Sequence, residues 1–279
     1  MTPADAPTFS IVEKYFYTNQ FPTMWCAGCG NGTIAMAMVR AVDRLDLDFD
    51  KVIHVAGIGC SSVAHWYTSF TALQSAHGRA LPSATGVKMA NPELTVLVTM
   101  GDGDCIAIGG NHLIHACRRN IDLTAIVYNN FNYGMTGGQV GPTTPLDSIT
   151  STTLYGNLER PVDICRVAEA AGATYVARGA VYYIKELIDL IEKGIRHKGF
   201  SLIEVMTPCP TVFGKRNNLG PSPKMWKAQK NSTISVKKAK DLTEDEQQGK
   251  WPRGVLVEKA LPEFTEEYSK MITRQQKGR

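Results

Sequence analysis

The sequence predicts an α/β protein on a doubly wound, mainly parallel sheet, and two features of its patterning predict it. Short apolar runs rich in Val, Ile and Leu alternate with segments whose apolar residues recur every three or four positions. The runs lack the in–out alternation of a half-exposed strand, as expected of strands covered by helices on both faces. In chain order, helix is expected over Asn31–Arg44, strand over 51–56, 94–100 and 123–128, and helix over 109–119 between the last two. Helix then follows over 162–171, strand over 174–177, helix over 182–197 and strand over Ser201–Met206. The helical stripe is clearest at Leu187, Ile188, Ile191 and Ile195. Sheets of this kind bind ligands beyond the carboxyl ends of their strands. Chemistry is therefore expected after Ala56, Met100, Tyr128 and Met206. Beyond Pro210 the chain is more polar, carries charges of both signs and shows little strand character. The expected division is a domain over 1–210 and a C-terminal extension over 211–279 that packs on it or on a partner subunit.

The bulk numbers exclude several classes. The chain has 279 residues, 43% hydrophobic and 20% charged, the composition of a globular protein. No run approaches the roughly 20 apolar residues of a membrane span, so no membrane role is expected. Residues 1–17 carry Asp5, Glu13 and Lys14 and no apolar core of a secretory leader. A net charge of +4 gives no reason to expect nucleic acid. Lysines gather late in the chain, between Lys215 and Lys240, as suits a solvated or subunit-facing tail. The seven cysteines are odd in number and unevenly spaced. That pattern disfavours a disulfide framework and points to reduced, metal-bound or buried thiols in a cytoplasmic protein.

The second expected strand runs into Gly101-Asp102-Gly103-Asp104, and the third ends at Asn129-Asn130, followed by a glycine-rich loop over 131–139. Glycines beside an aspartate let backbone approach a ligand closely. A hard divalent cation needs oxygen donors, and a carboxylate and an amide from adjacent strand ends supply two. Such a cation neutralises a diphosphate that also accepts bonds from backbone N–H groups. A lone Gly-Asp-Gly is often only a turn, but the joint pattern is selective and resembles the thiamine-diphosphate motif. On that resemblance Asp102 and Asn130 are Mg2+ ligands through their side chains and Asn132 through its carbonyl. Gly103, Asp104, Gly134, Met135 and Thr136 would contact the diphosphate. No strand is followed by Gly-x-Gly-x-x-Gly, and no P-loop is present.

Cys26 and Cys29 form a Cys-x-x-Cys knuckle before a helix, and Cys60 and Cys209 follow expected strand ends. Four thiolates converging at that edge could hold zinc or a [4Fe–4S] cluster. Cys105, Cys117 and Cys165 read as buried hydrophobes.

Taken together, Cys26-Ala27-Gly28-Cys29-Gly30, Gly57-Ile58-Gly59-Cys60-Ser61, His77-Gly78-Arg79-Ala80, Gly101–Asp104 and the 134–139 loop occur in an order that resembles the β subunit of 2-oxoacid:ferredoxin oxidoreductases. The resemblance covers about residues 20–210 and implies a sheet of the thiamine-diphosphate-binding type. It implies one [4Fe–4S] cluster on Cys26, Cys29, Cys60 and Cys209. It also implies a thiamine site lined by Ile58, Gly59, Cys60, Ser61, His77, Gly78, Arg79 and Ala80. Lys215-Arg216-Asn217-Asn218-Leu219-Gly220 and Arg253-Gly254-Val255-Leu256 are similar to 2-oxoglutarate-type β subunits. The implied reaction oxidises a 2-oxoacid, 2-oxoglutarate first, with coenzyme A and passes electrons to ferredoxin; pyruvate and branched or aromatic 2-oxoacids remain alternatives. Only one sheet domain fits this length, so an α subunit is expected to carry the pyrimidine-binding domain. The chain would be inactive alone and would work as a heterodimer or a dimer of heterodimers.

Other polar residues have structural readings. His54 lies within a strand and reads as core, and His112 and His115 read as helix surface. His77 and Arg79 are the catalytic candidates; with His65 they are also the candidates for a distal substrate carboxylate. Two other classes remain in view. A non-oxidative thiamine enzyme needs the diphosphate loop but not the cysteines, and a zinc or electron-transfer subunit needs the cysteines but not Asp102 and Asn130.

Overall fold

In the computed structural model the apolar runs lie side by side in one eight-stranded sheet. The structure describes residues 8–247 and 249–277, so residues 1–7 of the stretch read above for a leader lie outside it. The strands are β1 (Val52–Ala56), β2 (Thr71–Gln74), β3 (Thr95–Gly101), β4 (Thr124–Asn129), β7 (Tyr175–Ala180), β8 (Ser201–Met206), β9 (Thr233–Ser235) and β10 (Trp251–Glu258), with β5 (Asn132–Tyr133) and β6 (Gln139–Val140) forming a separate small hairpin. Their order across the large sheet is β2-β1-β3-β4-β8-β7-β10-β9. Neighbours are parallel except β10, which runs antiparallel to β7.

Helices cover both faces, as doubly wound sheets require. On one face α1 (Thr8–Tyr15), α2 (Asn31–Arg44), the short α3 (Ala64–Tyr67) and α7 (Ile184–Arg196) bury residues such as Ile11, Ile34, Met38, Tyr67, Leu187 and Ile191 in one core with Leu97, Ile126 and Ile203. On the other, α4 (Ala80–Ala90), α5 (Gly110–Arg119) and α6 (Ile164–Ala170) bury Leu81, Leu113 and Ile164 against Val96, Val98 and Ala125. Successive strand residues thus enter opposite cores, which explains runs with no polar alternation. Cys105, Cys117 and Cys165 are packed in the second core, and His54 is buried between the hydroxyls of Thr68 and Thr99.

Among the elements that differ from expectation, three do so for a plain physical reason. α4 contains Pro82 and Gly86, which hide a helical stripe. β2 is exposed at all four positions and so carries no burial pattern. The extension is not poor in strand: α8 (Ser222–Ser232), α9 (Val236–Ala239), α10 (Glu244–Gln247) and α11 (Phe264–Lys277) accompany β9 and β10, which complete the sheet. Pro252, Gly254 and a bulge between Val255 and Val257 interrupt the alternation that would announce β10.

Candidate cofactor site and cysteine cluster

The chain leaves β1 toward β2 on one side and returns to β3 on the other, so the loops after β1 and β3 diverge and open a crevice. That crevice is a cavity. Ile58, Gly59, Cys60 and Ser61 line it from the β1 end, and Asp102, Gly103 and Asp104 from the β3 end. Asn130, Asn132, Gly134, Met135 and Thr136 close it from beyond β4, and His77 reaches in from the segment before α4.

Asp102 is buried, and its Oδ2 accepts from the Phe131 N–H at 3.0 Å and the Thr143 hydroxyl at 2.5 Å. Burial raises its pKa to about 6, against the pull of those two donors. Phe131 has φ of +65°, a left-handed conformation that bulky residues avoid. That turn lies between Asn130 and Asn132 and brings both to the cavity, with Asn132 Nδ2 donating to the Asn130 carbonyl at 2.8 Å. The Asn132 carbonyl accepts from Gly134 N–H at 3.0 Å.

Asp104 acts differently. Its carboxylate accepts from His77 Nδ1 at 2.5 Å, Gly78 N–H at 2.6 Å and Ile58 N–H at 3.2 Å, which ties three segments of the cavity wall together. Burial pushes its pKa up. With both oxygens committed to protein donors, Asp104 shapes the wall. Gly78, Arg79 and Ala80 do not line the cavity. The Arg79 guanidinium donates to the carbonyls of Gly78 and Ile108, and Ala80 is buried at the start of α4. His65 Nδ1 bonds to the Ser62 carbonyl.

Several contributors had no role in the sequence reading. The Tyr133 ring packs on Gly103, where a Cβ would lie 2.2 Å from it, and its pKa is raised by burial and by the charges of Asp102 and Asp104. Tyr133 lies within the glycine-rich loop over 131–139, so the sequence marks its neighbourhood but not its role. Thr143 carried no sequence signal. Ser61 Oγ and Tyr128 OH are buried at the cavity wall without a protein hydrogen-bond partner. Orphaned hydroxyls and an oxygen donor set of carboxylate, amide and carbonyl fit a polar ligand with a hard cation.

A second cavity adjoins the first and shares Cys60, Asn130, Gly134 and Met135 with it. Cys26, Cys29, Cys60 and Cys209 all line it, so the knuckle and the two strand-end cysteines converge. Burial pushes the Cys60 thiol up to about 12, with the neighbouring thiols of Cys209, Cys29 and Cys26 adding to it. Burial likewise raises Cys29. Such thiols ionise together only around a cationic centre. Trp25 Nε1 donates to the Cys60 carbonyl at 2.8 Å, joining knuckle to loop. The extension clamps the knuckle from outside, where Ser222 Oγ and Trp226 Nε1 donate to the Gly28 carbonyl at 2.5 and 2.8 Å. Among the described residues, the one set of three or more His, Cys, Asp or Glu ligand atoms within 4.8 Å of one another is Asp163, Cys165 and Glu204, so the four cysteine sulfurs are spread more widely.

The sheet, the switch-point crevice and the Asp102–Asn130 loop define a thiamine-diphosphate-binding domain, and residues 54–205 match the family described as thiamine pyrophosphate enzyme, C-terminal TPP binding domain. The chain is 46% identical over 261 residues to the 2-oxoglutarate synthase subunit KorB of Methanocaldococcus jannaschii, covering 94% of this chain and 97% of that one. It is 45% identical over 189 residues to the 2-oxoacid:ferredoxin oxidoreductase subunit beta of Saccharolobus solfataricus, covering 67% and 62%. Its structure is similar to the 2-oxoglutarate:ferredoxin oxidoreductase of Magnetococcus marinus, solved with 2-oxoglutarate, coenzyme A and succinyl-CoA, with a TM-score of 0.85, 30% identity, and 99% of this chain and 91% of that one covered. The chain belongs to the β subunits of the 2-oxoacid:ferredoxin oxidoreductases, a family of oxidoreductase subunits.

Proposed function

We propose that this chain is the thiamine-diphosphate-binding half of an enzyme that oxidatively decarboxylates 2-oxoglutarate with coenzyme A, yielding succinyl-CoA, carbon dioxide and reduced ferredoxin. The observation that carries this reading is the wall that the two cavities share, to which Cys60, Asn130, Gly134 and Met135 all contribute. Thiamine diphosphate supplies the electron sink for loss of carbon dioxide from a 2-oxoacid, and an adjacent iron–sulfur centre supplies one-electron acceptance. Asp102, Asn130 and the Asn132 carbonyl would hold Mg2+, and the hydroxyls of Ser61 and Tyr128 stand ready as donors to the cofactor.

Cys26, Cys29, Cys60 and Cys209 would hold a [4Fe–4S] cluster. A single tetrahedral zinc at about 2.3 Å from each sulfur draws the sulfurs to roughly 3.8 Å of one another. The wider spread of these four sulfurs favours a larger centre. Such a centre needs a reducing compartment, which supports a cytoplasmic location. An α subunit would close the cavity and supply the pyrimidine half, giving a heterodimer or a dimer of heterodimers. No described helix is long and apolar enough to cross a membrane.

The test is a steady-state comparison of 2-oxoglutarate, pyruvate and branched 2-oxoacids on the protein assembled with its partner, with ferredoxin as acceptor. The expected result is a kcat/KM for 2-oxoglutarate more than about tenfold above the others. A preference for pyruvate would move the chain to the second reading, the same chemistry on another 2-oxoacid. Turnover by the single purified chain would refute the requirement for a partner.

A further inference from the structure

A run of buried hydrogen bonds leads from the proposed cation loop across β4, β8 and β7 toward β10, and the proposed chemistry makes no use of it. It begins at Asp102 Oδ2, which accepts from the Thr143 hydroxyl at 2.5 Å and from Phe131 N–H at 3.0 Å. Thr143 Oγ1 also lies 3.1 Å from Asn129 Oδ1, which accepts from Phe131 N–H at 3.2 Å. The Thr143 proton goes to the shorter, carboxylate contact, and Asn129 Oδ1 is its secondary acceptor. Asn129 Nδ2 donates to Glu204 Oε1 at 2.8 Å. A carboxylate there can only accept, so the Asn129 amide has one orientation, with its oxygen toward Phe131 and Thr143.

Glu204 is fixed in turn. Its Oε2 accepts from Arg178 Nε at 2.7 Å, and Arg178 Nη2 reaches Asp163 at 2.5 Å. Arg178 and Glu204 stand directly opposite in β7 and β8. Beyond them the guanidinium lies 5.1 Å from the Trp251 ring centroid, so β10 of the extension closes the far end. Asp102, Thr143, Asn129, Glu204 and Arg178 are each 3% exposed or less. A buried ion pair contributes little net stability against apolar residues of the same volume. What it supplies is a fixed geometry, and the two acceptors that hold the left-handed Phe131 N–H both belong to this run.

We propose that Thr143, Asn129 and Glu204 are positioning residues for the cation site. They lock Asp102 through one oxygen and hold the Phe131 turn, which brings Asn130 and Asn132 to the cavity. This rests on reading Asp102 and Asn130 as cation ligands. The positioning residues touch neither cation nor substrate, so their effect is on the geometry of the ligand set before the cation arrives.

The probe is Mn2+, titrated into metal-stripped, partner-assembled protein at saturating thiamine diphosphate and followed by the EPR signal of free Mn2+. Thr143→Val keeps the shape and removes the hydroxyl; it weakens Mn2+ binding by about 10- to 100-fold, whereas Thr143→Ser stays within about threefold of wild type. Glu204→Gln weakens Mn2+ binding as well, although residue 204 is remote from the cavity. The metal-free Thr143→Val protein melts below wild type, by about 3–12 °C for one lost hydrogen bond to a carboxylate, but is fully folded at the temperature of the titration, which separates positioning from folding. If Glu204→Gln does not fold, the Val and Ser pair at 143 decides alone. Mn2+ binding by Thr143→Val within about threefold of wild type overturns the inference. Asp102→Asn is the control for the reading beneath it. If that variant binds Mn2+ normally, the cation site itself is misassigned; if it loses binding while Thr143→Val keeps it, only the positioning role fails.

Discussion

Gly57→Ala tests whether the cavity wall is organised by Asp104. Gly57 is anchored to β3 by its N–H, which donates to the Thr99 carbonyl at 2.9 Å, so its backbone has little room to retreat. A Cβ added there would lie 1.7 Å from Asp104 Oδ2 and 2.8 Å from its Cγ. Ordinary contact requires the carboxylate to move by about 1.5 Å or more. Its three hydrogen bonds are 2.5, 2.6 and 3.2 Å long, so a displacement of that size breaks at least two. Each such bond to a carboxylate contributes about 1.5–3 kcal/mol, giving a cost of roughly 3–6 kcal/mol. Domains of this kind are stable by only about 5–15 kcal/mol, so the loss is large. At roughly 2–4 °C per kcal/mol, thermal unfolding should fall by about 6–24 °C. Gly86→Ala is the matched control. Gly86 lies in α4, and a Cβ added to it would meet nothing within 4 Å. Alanine there should stabilise the protein by about 0.5–1 kcal/mol. A Gly57→Ala protein that melts within about 2 °C of wild type would refute the view that Asp104 holds the wall rigidly.

Two further predictions concern the proposed metal centres. Asp102 carries a folded-state pKa of about 6, above its ordinary value of 3.8. The metal-free folded protein therefore keeps a proton that the unfolded chain has lost, and this group's contribution to stability falls as pH rises from about 4 to about 6. A cation must displace that proton, so Mg2+ affinity should weaken about tenfold per pH unit below about 6 and be flat above it. Calorimetric titration across that range checks this, and a flat profile down to pH 5 would contradict it. For the cysteines, Cys60→Ser purified without oxygen should lose the visible absorbance that dithionite bleaches and fall well below about four irons per chain. Cys117→Ala, in the apolar core, should retain both; equal loss in the two variants would remove the distinction between ligand and core thiols.

What the sequence disclosed and what it withheld divide along the range of the interaction. Asn31–Arg44 and Ser201–Met206 are legible to the residue because one is a long amphipathic stripe and the other a short, mainly apolar run covered on both faces. The Gly-Asp-Gly turn and the Asn-Asn strand end are also local patterns. β2 and β10 leave no such pattern, since one is exposed throughout and the other is broken by Pro252 and Gly254. Convergence is harder still. Cys60 and Cys209 are 149 positions apart, and only the sheet order, with β1 and β8 on either side of β3 and β4, brings their loops to one cavity.

Glu204 shows how a misfit residue carries information that local patterning discards. A glutamate in the middle of Ser-Leu-Ile-Glu-Val-Met contradicts the apolar run around it, and the residue is buried. A buried carboxylate needs a partner, and such a conflict usually marks a position constrained by something beyond packing. Arg178 lies one residue past the end of the strand expected over 174–177, so local patterning singles out neither member of the pair. The register of β7 on β8 sets them opposite each other, and β4 on the other side of β8 brings Asn129 within reach of the same carboxylate. Three unremarkable polar residues on three strands thereby become one rigid run that ends at Asp102. The register of the sheet, which no short motif encodes, is what links the loop of the proposed cation site to the extension's strand β10.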